Sequence, residues 1–259
     1  MKVTGTTQLF PIIGHPVSGV FSPPAFNTEF ENRGLDVAMV PIDILPSALE
    51  AFWILLRNTP NIAGCSVTYP HKQAAHAAVD ELTPRAQRLG AVNTVRKQGG
   101  RLIGEATDGL AMCSAIKSIG LPIAGRSAFV MGAGGGAGAA IVDELCANGV
   151  RRLTISEIDS VRHSALLSLL KKHWPEVEIS QEKKTNDILI NATLLGKNPL
   201  DECPFSDTAI KAAFAIGDVV TFNLATQLIS KSKALGVCSI SGERMGKGQL
   251  AAQLSFLGY

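Results

Sequence analysis

Ala128-Phe129-Val130-Met131-Gly132-Ala133-Gly134-Gly135-Gly136-Ala137-Gly138-Ala139-Ala140 is the stretch on which the reading of the chain turns. An apolar strand, 128–131, runs into a glycine turn, and the turn runs into a helix that continues to about Ala147 before Gly149 ends it. The spacing is GxGxxA, placed between strand and helix as dinucleotide binding requires. Gly132 suits the tight turn, Gly134 lets backbone approach a pyrophosphate, and the small Ala137 allows close helix packing. Ala133, Gly135 and Gly136 complete the loop, and the helix N-terminus faces the anion. A glycine turn that binds nothing is the bland alternative, and the flanking strand and helix count against it.

Working downstream, a strand at 152–156, a helix at 161–173 and strands at 188–191 and 215–220 continue the period of a Rossmann-type half. The second strand leads into Glu157-Ile158-Asp159, so acidic groups stand 25 and 27 residues after Gly132 (157 − 132 and 159 − 132). A carboxylate there accepts hydrogen bonds from adenosine ribose hydroxyls and repels a 2′-phosphate, which favours NAD over NADP. Arg151, Arg152 and Arg162 lie close enough in sequence to weaken that preference, and two solvated loop acids are the competing reading.

Working upstream, short apolar runs alternate with helical segments from residue 8 to about 105, which predicts βαβ units and a mostly parallel sheet. Strands are expected at 9–13, 37–41 and 63–68, and helices at 23–33, 47–57 and from about Pro70. Segments 92–96 and 102–105, joined across Gly99 and Gly100, read as a hairpin. A helix follows from about Gly109 to Ser118. The fold class is therefore α/β with two domains, 1–106 and 107–244. The apolar helix near the end, within about 245–259, is expected to return to the first domain.

Two further segments carry chemistry. In Ser66-Val67-Thr68-Tyr69-Pro70-His71-Lys72, Pro70 suits the first helical position and Lys72 falls in the first turn, where the helix dipole favours the neutral amine of a general base. A solvated surface lysine explains the segment equally well, and His71 reads as a packing or orienting residue. Thr107-Asp108-Gly109 opens the next helix, so Asp108 is either a plain N-cap or the carboxylate that orients such a base.

Composition narrows the field. The 259 residues are 46% hydrophobic and 18% charged with a formal net charge of +2, which gives no basic field for nucleic acid. No signal pattern stands at the N-terminus and no apolar stretch reaches the ~18 residues of a membrane helix, so a cytoplasmic protein without a membrane partner is expected. The five cysteines are scattered and read as small buried hydrophobes, with no metal site. A small-molecule substrate is the expected partner, and the sequence fits a monomer and a homodimer alike.

Taken in order, these segments resemble the shikimate/quinate dehydrogenase family from end to end. The resemblance rests on Ile13-Gly14-His15-Pro16-Val17 with Ser22-Pro23, Val67 to Lys72, Gly90-Ala91-Val92-Asn93-Thr94, Thr107-Asp108-Gly109, Gly132-Ala133-Gly134-Gly135, Asn191-Ala192-Thr193 with Leu195-Gly196, and Gly242 with Met245 and Gln249. It implies an N-terminal substrate domain, a Rossmann domain for NAD(P), and oxidation of one hydroxyl of a cyclic polyol acid. By the same matching, Lys72 and Asp108 fall on the catalytic pair, and Ser22, Thr68, Asn93 and Gln249 on substrate-binding positions. Asn191 and Thr193 line the cofactor side, and Met245 lies near the nicotinamide. Glu157-Ile158-Asp159 looks like the NAD-using members.

The chain also departs from the family pattern. Val20 stands where the resemblance expects the first of two serines, Ser66 and Ala106 replace asparagines, and Thr221 replaces a tyrosine. A hydrogen bond to a charged group contributes about 1.5 to 3 kcal/mol, so the missing serine would weaken shikimate roughly ten- to a hundredfold. The expected function is NAD-linked oxidation of shikimate, quinate or a related cyclohexane carboxylate. The alternatives are a dehydrogenase for a different, for instance amino-substituted, cyclic alcohol, and a non-catalytic NAD-binding sensor.

Overall fold

The computed structural model describes residues 2–20, 22–180, 185–221 and 225–259. The chain divides into two compact units, one of residues 1–107 with 250–259 and one of residues 108–249.

The first unit begins with β1 (Gln8–Leu9) and β2 (Ile12–Gly14), which the sequence reads as one strand; Pro11, with no N–H to donate, lies between them. Next come α1 (Ser22–Asn32), β3 (Val37–Ala38), β4 (Pro41–Asp43), α2 (Leu49–Asn58), β5 (Gly64–Val67) and α3 (Lys72–Ala78). Then follow β6 (Glu81–Leu82), α4 (Pro84–Leu89), β7 (Thr94–Gln98) and β8 (Arg101–Glu105). The main sheet has the order β4-β2-β5-β7-β8-β6, and β1 pairs with β3 beside it. Only β7 opposes its neighbours, because the hairpin turns at Gly99 and Gly100, whose φ values of 57° and 78° are what a two-residue hairpin turn demands.

Alternation along the strands gives this sheet two different faces. Ile13, Cys65, Val67 and Val95 point to a core shared with Phe52, Trp53 and Leu56 of α2. Phe10 and Ile12 point the other way, to a core with Phe26 and Phe30 of α1 and Leu254 of the last helix. The expected return of the C-terminal helix to the first unit is thereby realised: the helix α10 runs over Gly242–Leu257, and Leu250, Leu254 and Leu257 pack in that core.

The second unit contains α5 (Asp108–Lys117), β9 (Ser127–Met131), α6 (Gly136–Ala147), β10 (Arg152–Ser156), α7 (Ser160–His173), β11 (Glu178–Ser180) and β12 (Ile188–Asn191). It continues with α8 (Asp207–Ala212), β13 (Ala215–Asp218), α9 (Gln227–Ala234), β14 (Cys238–Ile240) and the first part of α10. All six strands are parallel in the order β11-β10-β9-β12-β13-β14, the 3-2-1-4-5-6 order of a doubly wound sheet. Both faces are covered, so its strands read as continuous apolar runs: Ala128 and Val130 enter one core while Phe129 enters another with Phe205 and Ile216.

Among the described residues no helix is long and apolar enough to cross a membrane, and no group of three or more histidine, cysteine or acidic side chains could hold a metal. The cysteine expectation needs correction. Cys65, Cys113 and Cys146 are buried, whereas Cys203 is half-buried and Cys238 exposed, because β14 is an edge strand.

Candidate active site

In the second unit the strand order reverses between β9 and β12, and an open α/β sheet binds its ligands beyond the strand ends at such a point. The glycine loop leaves β9 there. Gly132 has φ 76°, and a Cβ on it would come within 2.8 Å of Thr193 Cγ2 and 2.9 Å of the Ala192 carbonyl, so the loop lies directly against 192–193. A Cβ on Gly134 would meet Arg162 at 2.8 Å and Glu157 at 2.9 Å. A Cβ on Gly138 would overlap the Gly132 carbonyl oxygen, so the start of α6 approaches the loop closely at the residue next to Ala137. Gly135 is the N-cap of α6, and no acidic side chain stands in the helix's first turn, whose N–H groups remain for an anion.

The two acids after β10 have different surroundings. Glu157 Oε2 accepts from Gly134 N–H at 2.9 Å and Oε1 accepts from Asp159 N–H at 3.0 Å, so the half-buried carboxylate is seated on the glycine loop. Asp159 is the exposed N-cap of α7 and accepts from the N–H groups of Val161 and Arg162. Those backbone donors, Arg162 foremost, hold its carboxyl below the usual range. Of the three nearby arginines, Arg162 reaches the loop. Arg151 and Arg152 are turned to the carbonyls of Gly125 and Thr185.

At the ends of β12 and β13 a buried network fixes the other side of the loop. Asn191 Oδ1 accepts from the Thr193 hydroxyl at 2.6 Å and from Thr193 N–H at 3.2 Å. Its Nδ2 donates to Leu195 O and to Asp218 Oδ1. Asp218, fully buried, also accepts from the Thr226 hydroxyl at 2.6 Å and from Val220 N–H. Burial pushes its carboxyl up, against these hydrogen bonds. Sequence reasoning does not single out Asp218; an acid closing an otherwise apolar strand is the one local signal it offers.

Asp108 opens α5 and is buried, and its Oδ1 accepts from Gln249 Nε2 at 2.7 Å. Met245, expected near the nicotinamide, is buried in the core shared by α5, α6 and the sheet.

In the first unit, Thr68 and Lys72 share the connection from β5 to α3. Thr68 N–H donates to Ile13 O, and a side chain on Gly14 would overlap the Thr68 methyl, so β2 and this connection approach closely. Lys72 is the first residue of α3 and half-buried. Pro70 stands in the turn before the helix instead of at its first position, and His71 precedes Lys72, its ring bonded to Ile44 O at 2.7 Å. His71 is buried, as a packing or orienting residue would be. Asn93 is buried and acts as a brace: Oδ1 accepts from Thr107 N–H at 2.8 Å and from the Thr94 hydroxyl at 3.0 Å, while Nδ2 donates to the Thr107 hydroxyl. Ser22 opens α1, half-buried. Val20 packs against the core of α1, and Ala106 is buried in the core of α2. Ser66, also buried, accepts from Gln253 Nε2 at 3.3 Å.

Comparison with known proteins shows what the chain as a whole is similar to. A family model described as the shikimate dehydrogenase substrate binding domain matches residues 12–95. A protein of Rubrobacter xylanophilus named shikimate dehydrogenase (NADP(+)) is 36% identical over 252 residues, covering 94% of this chain and 88% of the relative. Among solved structures, shikimate 5-dehydrogenase from Listeria monocytogenes in complex with shikimate and NAD is 26% identical with a TM-score of 0.90, covering 100% of this chain and 94% of that one. The ligand-free 5-ketofructose reductase of Gluconobacter sp. strain CHM43 is 26% identical with a TM-score of 0.89, covering 97% and 92%.

Proposed function

Because the chain belongs to the shikimate dehydrogenase family, we propose that it is an NAD-dependent oxidoreductase acting on a ring hydroxyl of shikimate, quinate or a related cyclohexane carboxylate. The observation that carries the cofactor half of this reading is Glu157, whose carboxylate sits on the Gly134 N–H. A carboxylate held there accepts from ribose hydroxyls and repels a 2′-phosphate. The preference runs against the NADP(+) in the Rubrobacter relative's name and agrees with the NAD in the Listeria complex. The loop Gly132 to Ala137 and the start of α6 suit a pyrophosphate, with Ala133, Gly135 and Gly136 supplying backbone; Asn191 and Thr193 are assigned to the cofactor side and Met245 to the neighbourhood of the nicotinamide.

Bound NAD supplies the hydride acceptor. The protein's own part is to hold the substrate and move one proton: Lys72 takes the hydroxyl proton, and Asp108 is the orienting carboxylate. Ser22, Thr68, Asn93 and Gln249 are assigned to the substrate. We assign residues 1–106 and about 245–259 to the substrate domain and 107–244 to the cofactor domain.

A second reading keeps the dehydrogenase reaction and changes the substrate to a polyol or ketone without a carboxylate. Val20, turned into the α1 core where a hydroxyl is expected, favours it, as does similarity to a 5-ketofructose reductase. The test is formation of NADH or NADPH by the purified protein, with NAD or NADP offered against shikimate, quinate, their amino and deoxy analogues, and open-chain polyols. NAD-linked oxidation of the carboxylates supports the first reading. Turnover of polyols alone replaces it with the second, and equal use of NADP removes the role given to Glu157.

A further inference from the structure

We infer that Gln249 is a positioning residue that works on Asp108, and that Gly248 is the device that seats it. The inference deepens the functional reading above and rests on its assignment of Asp108 to the reaction.

The first half of α10 is pinned to the second unit at points about one turn apart. A Cβ on Gly242 would overlap the Val220 carbonyl oxygen, so the helix starts in backbone contact with the end of β13. Met245 is buried among the side chains of α5 and the sheet. A Cβ on Gly248 would stand 2.8 Å from Ala111 O and 3.3 Å from its Cα, which no side-chain rotation can relieve because both are backbone atoms. Residues spaced three apart lie on one helix face, so Gly242, Met245 and Gly248 form a single seam. Gln249 follows immediately, and its Nε2 donates to Asp108 Oδ1 at 2.7 Å. Ala111 is one turn along α5 from Asp108. The glycine contact and the amide contact therefore join the same two helices at the same level.

The consequence is chemical. A donor fixed on Oδ1 restricts rotation of the Asp108 carboxyl and so fixes the direction in which the whole group is presented. Gln249 acts through the carboxylate it holds, which goes beyond its assignment to the substrate.

The experiment is a mutant cycle on the full chain with the substrate and cofactor that turn over best. Gln249→Ala is expected to lower kcat roughly ten- to a hundredfold, the size of one hydrogen bond to a charged group, with a smaller change in substrate KM. Gly248→Ala keeps the amide and pushes α10 off α5, so it is expected to lower kcat in the same manner. The Gly248→Ala/Gln249→Ala protein should be no slower than Gln249→Ala alone. Raised KM with unchanged kcat in Gln249→Ala, or losses that multiply in the double variant, would overturn the inference while leaving the dehydrogenase reading in place. If Gly248→Ala does not fold, Gln249→Leu, similar in size and without the donor, decides between kcat and KM. A wild-type protein inert across the whole panel would instead remove the functional reading itself.

Discussion

The two units hold their chemistry by different means. In residues 108–249 the groups assigned to the cofactor lie within a few residues of parallel strand ends, and the backbone does most of the positioning. Gly132, Gly134 and Gly138 are where they are because a side chain at any of them would collide. In the first unit side-chain hydrogen bonds take a larger share of the bracing. Asn93 braces Thr107, and Gln253 reaches Ser66 across a separation of 187 residues. Backbone-built sites tolerate almost no substitution, whereas side-chain-built sites can change specificity one residue at a time. The departures that the resemblance implies fit that contrast: the glycine loop keeps its spacing, and Val20, Ser66 and Ala106 lie in the first unit, with Thr221 the exception in the second.

The sharpest way to break the comparison is to damage each unit separately and read both functions. Lys72→Ala should lower kcat by about two to four orders of magnitude, the usual contribution of a positioned base, and leave the dissociation constant for NAD unchanged. Equal turnover in this variant would return Lys72 to a surface lysine. Gly138→Ala should do the reverse. The new methyl overlaps the Gly132 carbonyl oxygen, so loop and α6 must separate, and NAD affinity is expected to fall by at least tenfold with a lower Tm. Calorimetric titration with NAD checks both. Loss of cofactor binding in the Lys72 variant would show that the units do not keep these functions apart.

The same contrast governs how much of the molecule is legible in the amino-acid sequence. The strands expected at 152–156 and 188–191 match β10 and β12, because each is a buried apolar run in a regular α/β repeat. Four shorter elements, β11, α8, α9 and β14, are absent from the sequence reading, and so are β6 and α4, although Thr83-Pro84 is an ordinary helix start in which Thr83 accepts from Ala86 N–H. The start of α10 at Gly242 is hidden too: Gly246 and Gly248 lower helix propensity there, and packing against the second unit overrides them. The glycine turn between β9 and α6 is legible because its spacing is local. The tight contact of Gly138 with the Gly132 carbonyl, one residue after Ala137, is not legible, since GxGxxA alone does not say which small residues face that carbonyl. The partners of Asp108, Ser66 and Asp218 depend on tertiary contacts, which no local spacing encodes.

A finer break lies within the second unit, between the neighbouring acids Glu157 and Asp159. Glu157→Ser should shift the ratio of kcat/KM for NAD to that for NADP by about ten- to a hundredfold toward NADP, as loss of one charged hydrogen-bonding group implies. Asp159→Ser should leave that ratio nearly constant, because its carboxylate is engaged in capping α7 and serine also caps well. A shift of the ratio with Asp159→Ser and none with Glu157→Ser would reverse the assignment.

The smallest expected effect concerns Asp218, a buried acid in the backbone-built unit whose carboxyl is pushed up. Since its folded value lies above the ordinary 3.8, the folded protein keeps this proton over a range in which the unfolded chain has released it. The associated stability is complete below the unfolded value and is lost as pH rises through the folded value. Asp218→Asn has no such proton, so the Tm of the wild type relative to the variant should fall on going from pH 4 toward neutrality and then level off. A difference that stays constant over this range would mean that Asp218 is ionised in the folded protein as readily as in the unfolded chain. Its three donors, Thr226, Asn191 and Val220, would then offset its burial, and the wall of the cofactor loop would be held by charge as much as by shape.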